Sequence, residues 1–167
     1  MSGRWLTFAT LAACVLLVLF ALWRRSQDTA RIREFWGPNG ARLIQYAPRV
    51  LLKLNPSQAH DEVPSLADER AWLELSTAPG LVHLRATLVD DRYFRWPSRA
   101  ATVEELAARG LEYRVLRFSS REGFVDAAIN VETGTVVNLA SRRATGIIPS
   151  SRQAIAAYLK IQSREAR

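Results

Sequence analysis

The chain has 167 residues, 49% of them hydrophobic, and 23 Lys+Arg against 16 Asp+Glu give it a formal charge of +7. Such a length fits one ordinary domain and excludes a large multi-domain enzyme; the apolar content excludes a disordered chain. A single cysteine, Cys14, excludes an internal disulfide framework and the zinc or redox sites that need CxxC spacing.

Residues 5–23, WLTFATLAACVLLVLFALW, form an uncharged run whose only polar members are Thr7 and Thr10. Nineteen residues at ~1.5 Å each match a hydrocarbon core of roughly 30 Å, so this segment is expected to be a transmembrane helix. Trp5 and Trp23 would sit at the two interfaces, with Arg24 and Arg25 completing the anchor. Ala9, Ala12 and Ala13 are small enough to let a neighbouring helix approach closely. A cleaved signal fits less well, because its apolar core is usually ~7–15 residues and ends at a small-residue site. Leu11, Ala12, Ala13 and Cys14 have the residue types of a bacterial lipobox, but nine apolar residues follow the cysteine. Arg24, Arg25, Arg31 and Arg33, against Asp28, outnumber Arg4 and the amino terminus. Positive-inside counting therefore places the rest of the chain in the cytoplasm. The expected location is a bacterial inner membrane, spanned once, with arginine outnumbering lysine 21 to 2 as a GC-rich genome favours.

Residues 24–35 are expected to continue as a short polar helix, ended by the breaker cluster Trp36, Gly37, Pro38, Asn39 and Gly40. The organisation read from the sequence is thus a flank (1–4), a membrane helix (5–23), a basic juxtamembrane helix and linker (24–40) and a globular domain (41–167). Within the domain, residues 42–46 and 49–54 are expected to be two strands, or one strand interrupted at Pro48. Residues 55–68 are read as a loop and 71–76 as a strand. Pro79 and Gly80 open a helix with Thr77 as a candidate cap, and Leu81, Leu84 and Leu88 give it an apolar stripe with Val82 and Val89 beside it. Residues 93–97 follow as an extended aromatic segment. Thr102, with Glu105 three residues on, forms a capping box for a helix over 103–109 that Gly110 stops.

The last third alternates. Strands over 111–119, 123–131 and 135–139, joined by turns at 119–123 and 132–134, predict a three-stranded antiparallel meander, with Gly134 free to take positive φ. A final helix from Pro149 to about Ser163 carries Ile155, Tyr158, Leu159 and Gln162 on one face. The fold class is therefore α+β: a mostly antiparallel sheet with packed helices.

Chemistry is sparse. His60, with Asp61 and Glu62, lies in a loop, and His83 lies on a helix with Asp90 further along. No HxxxH or HExxH spacing exists, so no metal or cofactor is assigned. There is no GxSxG elbow and no phosphate-binding loop, so no catalytic residue is assigned. The stretch Arg92, Tyr93, Phe94, Arg95, Trp96, Pro97, Ser98, Arg99 interleaves arginines with aromatics, the residue types that dominate protein interfaces and also stack on bases. Residues 1–33 hold five arginines against one aspartate, a net +4, and the remainder holds only +3. The basic excess is thus concentrated outside the domain, which counts against nucleic acid. The expected function is a membrane-anchored accessory protein, not an enzyme, whose domain binds a protein partner and helps to assemble or stabilise a membrane complex. Its partners would be the lipid bilayer and that protein, with no small-molecule ligand. The alternative is an extracytoplasmic tethered enzyme or ligand-binding module built on His83, Arg85, Asp90 and His60.

Overall fold

The structure is a computed structural model and describes residues 3–55, 57–58, 71–96, 101–102 and 111–165. It opens with one long helix, α1 (Gly3–Trp36). No glycine or proline interrupts residues 4–36, so nothing in the sequence breaks the ladder until Gly37, which takes φ +80° and ends it.

The expected transmembrane segment is overturned. Among the described residues, no helix is long and apolar enough to cross a membrane. The apolar run occupies only part of α1, and the same helix carries Arg31, Arg33 and Glu34 towards its end. The single-pass, bitopic inner-membrane placement falls with that segment. So does the cytoplasmic orientation argued from Arg24, Arg25, Arg31 and Arg33.

A second helix, α2 (Gly40–Tyr46), replaces the strand expected over 42–46. Five residues with two adjacent apolar members do not distinguish a strand from a buried helical turn. Packing decides: Ile44 is fully buried in the core, and the Ala47 N–H closes the last turn on the Leu43 carbonyl. Then come β1 (Arg49–Lys53), β2 (Ser57–Gln58), β3 (Trp72–Glu74) and helix α3 (Leu81–Val89). Gly80 precedes α3 in the left-handed conformation with no side-chain cap, so Thr77 does not serve as one. A single 3-10 turn (Asp91–Tyr93) leads into β4 (Phe94–Arg95) and β5 (Ala101–Thr102). Thr102 lies in a strand, and the helix expected over 103–109 lies outside the described residues.

The chain continues through β6 (Glu112–Ser120), β7 (Gly123–Asn130), β8 (Thr135–Asn138), β9 (Arg143–Ile147) and helix α4 (Pro149–Glu165). The α+β class holds. The sheet runs β3-β1-β6-β7-β8-β9-β4, antiparallel throughout, with β2 also on β6 and β5 also on β9. The three-stranded meander is present over β6–β8, and β9 extends it. At the β7–β8 turn, Asn130 Oδ1 accepts the N–H groups of Glu132 and Thr133, and Gly134 takes φ +75°.

Side chains alternate across the sheet and build two cores. One gathers Val50, Leu52, Leu116, Phe118, Val136 and Ile147 with the apolar stripes of α3 and α4 and the end of α1. The opposite face gathers Leu51, Trp72, Tyr113, Val115, Ala128 and Val137. The α4 face is as the spacing requires: Ile155, Leu159 and Gln162 are buried and Tyr158 partly so.

Candidate functional site

The two ends of α1 have different surroundings. At its C-terminal end, Ile32, Phe35 and Trp36 are buried in the domain core. The Trp36 Nε1–H donates to the Leu88 carbonyl at 2.8 Å, and Asn138 Nδ2 donates to the Phe35 carbonyl at 2.7 Å. Arg143 pairs with Glu34 at 3.0 Å. Phe35 also lies in an aromatic cluster with Trp36, Phe94 and Trp96, at ring-centre distances of 4.7, 6.2 and 5.8 Å. Domain packing therefore begins well before residue 41.

Further back, Phe8, Leu11 and residues 15–20 are large apolar side chains on the surface. Residues 15–20 are 52–67% exposed. Successive helical residues turn by ~100°, so six in a row face every direction around the axis. Ala12, Ala13 and Cys14 are exposed on the same stretch. The side chains of Trp5, Ala9, Trp23, Arg24 and Arg25 lie outside those described.

The arginine–aromatic segment folds with its rings inward. Phe94 is buried and stacks on half-buried Trp96 at 5.2 Å, while the Trp96 Nε1–H donates to Asp91 Oδ1. The Ile148 N–H donates to the Tyr93 carbonyl, and the Thr145 hydroxyl donates to the Arg95 carbonyl. Arg95 points outward, and Arg99 lies outside the described residues. Arg92 turns back on Asp90, with Nη2 2.6 Å from Oδ2 and Nε 3.0 Å from Oδ1. Those side-chain hydrogen bonds hold the Asp90 carboxyl below its ordinary value, against a partial burial that pushes it up. A depressed carboxyl stabilises the fold above its ordinary pKa of ~3.9 and loses that contribution as pH falls through the folded value. An NMR titration of Asp90 is therefore expected to give a midpoint below the ordinary value, moving back towards it in Arg92→Ala.

The polar residues that the sequence suggested as one site are committed separately. His60 lies outside the described residues. His83 is exposed on α3, with its N–H on the Gly80 carbonyl and its own carbonyl accepting the Thr87 hydroxyl. Asp90 holds Arg92. Arg85 reaches across to α2, where Nη1 and Nη2 donate to the Gln45 and Ala47 carbonyls at 2.9 and 2.7 Å. Those carbonyls lie at the end of α2, where helices leave acceptors without partners. Among the described residues, no group of three or more His, Cys, Asp or Glu could hold a metal ion.

No family model, curated protein or solved structure matches the chain.

Sequence reasoning passed over two features. One is a groove of about 540 Å³ between α2 and α3, walled by Tyr46, Ala78, Val82, Arg85, Ala86 and Val89. Its signal was a second apolar stripe on α3, Val82–Ala86–Val89, beside the one that enters the core. The other is a buried ion pair opposite the helices. Arg117 on β6 faces Asp126 on β7 in register, with Nε–Oδ1 and Nη2–Oδ2 both at 2.7 Å. The guanidinium carbon lies over the rings of Trp72 and Phe124, 4.9 and 4.5 Å from their centres. Its signal was a charge at an inward position of an alternating strand.

Proposed function

We propose that the chain is an accessory subunit that joins a protein assembly through α1, with the α+β domain as the body carried by that helix. The observation that supports this reading is the exposed apolar girdle of residues 15–20. A helix that is apolar all round belongs in a buried setting, and contiguous exposed apolar surface marks an interaction site. In this reading the cover is supplied by helices of a partner protein, which approach most closely along Ala12 and Ala13. The polar and aromatic contacts at Glu34, Phe35 and Trp36 give the arrangement a purpose, because they fix the domain to the element that docks.

The test is affinity purification of the full chain at native abundance, beside the double variant Leu16→Asp/Leu19→Asp. Both leucines lie outside the core, so thermal unfolding of the domain should not change. The expected result is a defined complex for the wild type and its loss in the variant. An isolated monomer in both cases overturns the reading.

A further inference from the structure

The groove between α2 and α3 holds a cation without an anion. Arg85 gives one N–H from each terminal nitrogen to a backbone carbonyl, its Nε is buried without a partner, and no carboxylate pairs with it among the described residues. Burial pushes the guanidinium below its ordinary pKa, opposed only by the neighbouring Tyr158. The Tyr158 hydroxyl is itself buried without a partner, and burial pushes its pKa up. Removing a cation from water is costly unless an anion or a full set of hydrogen bonds replaces the water. Carbonyl caps take one N–H of each terminal nitrogen, and a carboxylate in the groove would accept from the N–H groups those caps leave over and supply the missing countercharge.

The walls select what carries the carboxylate. Val82 is 76% exposed and Tyr46 70%, so the rim is apolar and open to solvent. A pocket for a small ligand usually encloses ~70–90% of that ligand. An open trough with exposed apolar rims suits a longer segment that extends past both ends.

We propose that the α2–α3 groove docks an apolar segment of a partner protein bearing one acidic side chain, with the carboxylate on Arg85 and the apolar side chains along Val82, Ala86 and Val89. This contact is separate from α1, so the two stand or fall independently.

The experiment selects random dodecapeptides, displayed on phage, with the full chain as bait. Winners are then remade and titrated. The expected winners place Asp or Glu among Leu, Ile, Val or Phe. Val82→Asp, and amidation of the peptide acid, should each weaken binding by about tenfold or more. Arg85→Gln should do the same, with no further loss when the amidated peptide is used. Arg85 also holds the end of α2, whereas Val82 supports nothing in the core, so Val82→Asp remains decisive if Arg85→Gln unfolds. Leu16→Asp/Leu19→Asp should leave peptide affinity unchanged. Failure to enrich any peptide, winners without acids, unchanged affinity in Val82→Asp, or octanoate binding as tightly as the peptides would each overturn the proposal.

Discussion

Replacing Arg117 by alanine is expected to destabilise the domain by ~3–5 kcal/mol, measured by urea unfolding. The side chains of Arg117 and Asp126 are only 6% and 8% exposed, so truncating one strands the other's charge away from water. Two 2.7 Å bonds join the pair, and the guanidinium lies over the Trp72 and Phe124 rings. Asp126→Ala should cost a similar amount for the same reason. Against a total stability of ~5–15 kcal/mol, either loss is severe. The double variant Arg117→Met/Asp126→Leu separates the attraction within the pair from the penalty of breaking it. It leaves no buried charge and should recover most of the stability. A double variant as unstable as the singles would mean that the pair itself, rather than the orphaned charge, carries the energy.

Phe35→Ala is expected to cost ~3–5 kcal/mol, by removing a buried ring from the core and leaving a cavity. Phe35 is 3% exposed and touches the rings of Trp36, Phe94 and Trp96. The informative control lies on the same helix: Leu16→Ala, at a 65% exposed position, should change stability by no more than about 0.5 kcal/mol. A large effect at Phe35 with none at Leu16 would show that α1 is structural at one end and free for other contacts at the other. Equal effects would contradict that division.

The legibility of the chain followed the range of the forces involved. The β6–β8 meander could be read because Asn130, Gly134 and Gly123 mark tight turns between alternating runs, all of them local signals. The α3 and α4 stripes could be read for the same reason. β9 could not, since Arg142, Arg143 and Gly146 resemble a loop. Pairing with β8 on one side and with β4 and β5 on the other makes that segment a strand. Residues 42–46 went to a helix because Ile44 meets the core there, a contact that no local pattern records. Residues 5–23 misled in the opposite sense, because composition measures apolarity and is blind to what the rest of a 34-residue helix carries. The rings of Phe94 and Trp96 looked like interface chemistry until Phe35, about sixty residues away in sequence, was placed against them. The groove needed two helices to come together, so neither helix alone revealed it.

The hydrogen bond from Asn138 to the Phe35 carbonyl joins residues 103 apart. Synthesis proceeds at roughly 5–20 residues per second, so Phe35 and Trp36 leave the ribosome about 5–20 s before the strand that secures them exists. During that interval α1 has neither its core partners at one end nor any cover for the apolar girdle at the other. The nascent chain therefore exposes α1 to aggregation until that strand is made, and a holdase or an early partner would act on that helix during the interval.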